Sequence, residues 1–194
     1  MEKITIGLDI DGTITDFSGF LLRVSPRYMK KHYGLNIKDP SGYDIDEMYN
    51  LKEYTENHEN KIGLSAHKIV KLFWTKHFIS YCLGNNCRKG MAEFTEKCSE
   101  IANIAIFTSR DRSTAKGITG VFVRCCTRLQ LKKYKIKYDE IIFFSDDEAK
   151  INGIINYRPD YMIDDKAVIL KNLEDNIKTV CISAPYNFDI NQSD

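Results

Sequence analysis

Five short apolar runs, each ending in polar residues, punctuate the chain. They are residues 4–10, Ile104-Ala105-Ile106-Phe107, Ile141-Ile142-Phe143-Phe144, Tyr161-Met162-Ile163 and Thr179-Val180-Cys181-Ile182. Runs this short and this continuously apolar predict strands covered on both faces, as in a parallel sheet. Between them the apolar period changes. Met91, Phe94, Cys98 and Ile101 recur near 3.6 residues and predict a helix over residues 91–102. Residues 114–134 read as a longer helix, with Gly117 and Gly120 weakening its start. Residues 150–156 and 167–173 read as shorter ones. Strands alternating with helices imply right-handed crossovers and an α/β fold, a doubly wound (Rossmann-like) parallel sheet.

One region breaks the alternation. Residues 16–89 contain no convincing strand and are rich in aromatics, among them Phe17, Phe20, Tyr28, Tyr43, Phe73, Trp74 and Tyr81. The expected organisation is a catalytic core of residues 1–15 and 90–194, with residues 16–89 inserted after the first strand as a helical cap. The aromatics either form the core of that cap or face a cleft beneath it. Residues 187–194 are expected to fray.

Length and composition narrow the class. A chain of 194 residues suggests one domain with an insertion, and 43% hydrophobic with 28% charged residues is ordinary for a soluble protein. Lys+Arg 28 against Asp+Glu 27 gives a net charge of +1, so no basic excess points to a nucleic acid polymer or an anionic membrane. No apolar run is long enough to span a bilayer, and the chain enters a strand directly rather than through a signal peptide. The six cysteines form no Cys-x-x-Cys pair and read as free thiols in a reducing cytoplasm.

The first run carries two acids to its end, Leu8-Asp9-Ile10-Asp11-Gly12-Thr13. Alternation places Asp9 and Asp11 on one side of an extended backbone. Acids that close repel unless a cation lies between them or one keeps its proton, a costly arrangement for a structural strand and a useful one for a catalytic site. In open α/β sheets ligands bind beyond the carboxyl ends of the strands. The later strand ends add Thr108, Ser109 and Arg110, then Lys150, then Asp164 and Asp165. Each alone has a plainer reading. Thr13 could only close the turn, Thr108 could cap a helix, and Arg110 could solvate its loop. Lys150 could pair on the surface with Asp146, Asp147 or Glu148, and Asp146-Asp147 is a second acidic pair. Recurrence after successive strands is what carries the signal. His32, His58, His67 and His77 show no metal spacing.

The ordered set Asp9-Ile10-Asp11-Gly12-Thr13, apolar-Thr108-Ser109, Lys150 and apolar-Asp164-Asp165 resembles the four motifs of the haloacid dehalogenase (HAD) superfamily of phosphohydrolases. Asp16-Phe17, Gly42-Tyr43, Phe73-Trp74 and Ser183-Ala184-Pro185-Tyr186-Asn187 are similar to the 5'(3')-deoxyribonucleotidases and their bacterial nucleotidase-like relatives. The resemblance implies Asp9 as nucleophile and Asp11 as general acid/base. It implies Thr108 and Lys150 on the transferring phosphoryl group, with Ser109 and Arg110 near the substrate. It implies Mg²⁺ held by Asp9, the Asp11 carbonyl and Asp164 or Asp165. Phe17, Tyr43 and Trp74 become candidates to stack on a nucleobase. The implied substrate is a small phosphomonoester, a nucleoside monophosphate by this resemblance. Arg110 stands where deoxyribonucleotidases often carry another residue, which keeps a different phosphorylated metabolite in play. A non-catalytic binding protein on the same fold is the alternative class, and the complete motif set argues against it. A homodimer is compatible with the chain.

Overall fold

The computed structural model describes residues 3–187, without the side chains of residues 58–62; His58 and residues 188–194 lie outside the described residues. Five parallel strands form the sheet: β1 (Ile4–Leu8), β2 (Ala102–Thr108), β3 (Glu140–Phe143), β4 (Tyr161–Asp164) and β5 (Lys178–Cys181). Their order is β3-β2-β1-β4-β5. β1 is central, with Leu8 in register with Ile106 of β2 and Ile163 of β4. The chain steps outward from β1 through β2 to β3, then returns to the other side of β1. This reversal opens a crevice between the carboxyl ends of β1 and β4, where open α/β sheets bind ligands.

The segment between β1 and β2 folds into α1 (Phe17–Tyr33), α2 (Ile45–Tyr49), α3 (Leu51–Ile62) and α4 (Ala66–Leu83). Asp16 caps α1 by accepting from the Gly19 N–H, and Gly34 ends it at φ 72°. Helices α5 (Met91–Ile101), α6 (Ile118–Lys133), α7 (Asp147–Tyr157) and α8 (Ala167–Leu170) follow in the βα units. Two of these starts differ from the sequence expectation for identifiable reasons. α6 begins at Ile118 rather than residue 114 because Gly117 adopts φ 74° immediately before it. α7 begins at Asp147 rather than residue 150 because the Asp146 carboxylate accepts from the Ala149 N–H and caps it.

Strand alternation splits the core. Ile104 and Ile106 of β2 pack on one face of the sheet with Leu8, Ile10 and Leu131. Ala105 and Phe107 pack on the other with Met162, Ile154 and Ile169. A third cluster lies within α1–α4, built on Phe20, Leu21, Met29, Ile45, Tyr49, Phe73 and Tyr81, and reaches Cys126 of α6. Each such side chain contributes roughly 1.5–3 kcal/mol of burial. Cys82, Cys87, Cys98, Cys125 and Cys126 are free thiols. Burial pushes the Cys82 thiol up to about 12, which suits packing rather than redox chemistry. Among the described residues no helix is long and apolar enough to cross a membrane.

Candidate active site

β1 and β4 deliver their acids to one point. Asp9 follows β1 and Asp164 ends β4, and the Lys150 ammonium from α7 lies between them. Lys150 Nζ donates to Asp9 Oδ1 at 2.5 Å and to Asp164 Oδ2 at 2.7 Å. Lys150 is 1% exposed and Asp164 is fully buried. The surface reading of Lys150 is thereby excluded. The competing acids have their own partners: Asp146 is the cap of α7, while Asp147 accepts from Ser109 Oγ and Lys166 Nζ, each at 2.7 Å.

Asp165, also fully buried, completes the cluster. Its carboxylate accepts from the Tyr186 hydroxyl and from Thr13 Oγ1 at 3.2 Å, and its carbonyl accepts from Asn187 Nδ2 at 2.6 Å. Asp9, Asp164 and Asp165 each offer an oxygen, all within 4.8 Å of one another. The Gly12 turn makes this approach feasible. Gly12 sits at φ +100°, a Cβ there would overlap the Asp165 carboxylate, and its carbonyl accepts from Arg88 Nε at 2.7 Å. Gly12→Ala is expected to lose about 1–3 kcal/mol to backbone strain alone, measured by urea denaturation, with more lost as Asp165 is pushed aside.

Asp11 is outside this three-acid group and is held by other partners. Arg110 Nε donates to its Oδ2 at 2.7 Å, Arg110 Nη2 to its Oδ1 at 2.6 Å, and the Tyr81 hydroxyl to Oδ1 at 2.5 Å. Arg110 is 6% exposed. The sequence reading gave Arg110 a substrate phosphate or the solvent, and the structure gives it a carboxylate.

The charges are unequal to their surroundings. Burial raises the Asp9 carboxyl well above its ordinary range; Lys150 opposes this, while Asp164, Asp165 and Asp11 add to it. Burial and the Asp164 charge raise Asp165 to about 6. Burial would raise Asp11 as well, but the Arg110 charge and the bonds from Arg110 and Tyr81 outweigh it and hold Asp11 low. Four carboxylates thus face two cations, Lys150 and Arg110.

A cavity of about 690 Å³ opens beside the cluster, within the usual range for small-molecule sites. Its lining includes the polar Asp9, Asp11, Thr108, Ser109, Arg110 and Lys150 and the aromatic Phe17, Tyr43, Trp74, Tyr81, Phe78 and Phe122. Thr108, at the end of β2, is 1% exposed. Phe17 and Trp74 stack on each other at 5.7 Å, with planes 10° apart. Tyr43 meets Phe17 at 5.7 Å and carries the Lys166 ammonium 4.5 Å above its ring. His67 also lines this cavity, and no histidine joins a metal-type cluster among the described residues.

Three contributors went unassigned in the sequence. Tyr81 and Lys166 carry no motif, and nothing local marks them among their kind. Tyr186 lies in the quoted Ser183–Asn187 stretch, which follows the last strand and so returns to the same sheet end.

No family model matches the chain, and no curated protein is similar to it at a significant level. Solved structures are similar in shape. A predicted phosphatase from Clostridium acetobutylicum superposes with a TM-score of 0.63 at 16% identity, covering 97% of this chain and 89% of its own. A HAD-superfamily hydrolase of subfamily IA from Geobacter sulfurreducens gives 0.59 at 12% identity, covering 97% and 95%. YfnB of Bacillus subtilis, assigned to the HAD hydrolases and crystallised with magnesium, gives 0.54 at 11%, covering 94% and 87%. The chain therefore has the Rossmann-like fold of the HAD hydrolases over nearly its whole length.

Proposed function

We infer that this protein is a phosphomonoesterase of the HAD type, which passes a phosphoryl group from a small ester to Asp9 and then to water. The observation that carries this is the buried cluster Asp9, Asp164, Asp165 and Lys150 at the crevice between β1 and β4, with Asp11 two residues from Asp9. Asp9 attacks phosphorus and the ester P–O bond breaks, forming an aspartyl-phosphate. Asp11 gives a proton to the departing oxygen and later takes one from the water that cleaves the intermediate. Lys150 and Thr108 steady the phosphoryl oxygens. Residues 16–89 act as the cap that closes over the site and excludes water.

The donor set fits Mg²⁺. It is all oxygen, buried, and two positive charges short of neutrality. Asp9, Asp164 or Asp165 and the Asp11 carbonyl would hold the ion, which when bound neutralises charge on the transferring phosphoryl group. The magnesium in YfnB supports the same reading. Without the ion, the raised carboxyls of Asp9 and Asp165 favour protonation in the folded state, so the contribution of these two groups to stability is full at low pH and is lost as pH rises through about 6. Mg²⁺ is therefore expected to raise the melting temperature more at about pH 8 than at about pH 5, where protons compete for the same oxygens. Differential scanning calorimetry with and without the ion checks this.

The substrate proposed is a nucleoside monophosphate, supported by Phe17, Tyr43 and Trp74 on the cavity wall. Stacking on such rings contributes roughly 1–3 kcal/mol per base. Phosphate release from a panel of nucleotides and sugar phosphates, with and without chelator, tests the whole reading. Release from sugar phosphates alone would remove the nucleotide and keep the chemistry. No release from any ester would remove both.

A further inference from the structure

Asp11 is gripped by residues from separate parts of the fold. Its Oδ1 accepts from Tyr81 of α4 at 2.5 Å and from Arg110 Nη2 at 2.6 Å, and its Oδ2 from Arg110 Nε at 2.7 Å. Tyr81 is itself pinned. Its hydroxyl is 2.6 Å from Thr15 Oγ1, and its carbonyl accepts from Asn86 Nδ2 at 2.9 Å and Gln130 Nε2 at 3.2 Å. Arg110 donates its third contact to Thr127 Oγ1 of α6 at 3.1 Å and lies 5.5 Å over the Tyr81 ring. We propose that Tyr81 and Arg110 are positioning residues that hold the Asp11 carboxylate as proton acceptor for the water that cleaves the aspartyl-phosphate.

The argument is geometric. A carboxylate offers about four acceptor directions, and the clamp fills three. The orientation is fixed and a single direction is left to receive the proton of an attacking water. A bidentate guanidinium with a third short hydroxyl contact sets that direction tightly. Burying an arginine–carboxylate pair is no net gain in stability over apolar side chains of similar volume, so packing alone does not account for it. Because Tyr81 belongs to α4, the aim of Asp11 depends on how the helical segment is seated. Loss of contact there would leave the nucleophile in place and the water unactivated. In the affected step, water oxygen bonds to phosphorus as the bond between phosphorus and the Asp9 carboxylate oxygen breaks. The water proton passes to Asp11 and the electron pair returns to Asp9.

This inference rests on the phosphomonoesterase reading, and p-nitrophenyl phosphate separates the two. Its leaving group departs without a proton, so the first step proceeds without help from Asp11. In Tyr81→Phe, which keeps the ring and its packing, kcat is expected to fall by about 10²-fold. KM should fall in parallel, leaving kcat/KM within about twofold of wild type. A burst of nitrophenol equal to the enzyme concentration and trapping of phosphorylated Asp9 should accompany this. Arg110→Lys, which keeps the charge without the fork, should behave alike with a smaller loss. Parallel loss of kcat and kcat/KM, unchanged kinetics, or no burst in a variant that melts like wild type would overturn the proposal. A wild-type protein inert toward the ester with Mg²⁺ present would overturn the phosphomonoesterase reading first, and this proposal with it.

Discussion

Asp9→Asn is expected to abolish phosphate release and leave a folded protein. The amide oxygen is a poor nucleophile, so the covalent route closes, and the loss in kcat should be at least about 10³-fold. The same change removes one of the crowded buried charges, because Asp9 is buried against Asp164 and Asp165 with Lys150 to offset them. The metal-free variant should therefore melt no lower than wild type. Phosphate release and a thermal melt on one preparation settle both. Full activity in the variant would rule out Asp9 as the attacking group.

Lys150→Met carries the largest stability effect. The side chain is 1% exposed and its ammonium holds both Asp9 and Asp164. Removing one partner of a buried ion pair costs about 3–5 kcal/mol, because the remaining charges are left without compensation. The cost should shrink toward low pH as Asp9, whose carboxyl burial raises, takes up a proton. Urea denaturation at two pH values measures it. Adding Asp9→Asn to Lys150→Met should recover part of the loss, so the two changes will not add.

The sheet and the acid cluster were readable in the chain because their signals are local. A short apolar run ending in Asp9, or in Asp164-Asp165, states both the strand and its chemistry within a few residues. The structure groups Asp164 and Asp165 with Asp9, whereas Asp146 caps α7. The clamp on Asp11 was not. Tyr81 and Asp11 are separated by 70 residues and Arg110 and Asp11 by 99, and no periodicity encodes such pairings. The start of α7 was missed although Asp146 is an ordinary cap, because the acids there also looked like metal ligands. The start of α6 was missed because Gly117 read as a weak helical residue rather than as the turn before the helix.

The central strand β1 precedes both of its partners in chain order, which shapes how the sheet is made. Leu8 is synthesised well before the residues in register with it, Ile106 and Ile163. Until then the strand waits with both edges open, and open strand edges invite pairing with other chains. Pairings this distant in sequence also close slowly. The Lys150–Asp9 bridge alone spans 141 residues. A nascent chain stalled before β4 therefore presents an apolar strand with one side empty.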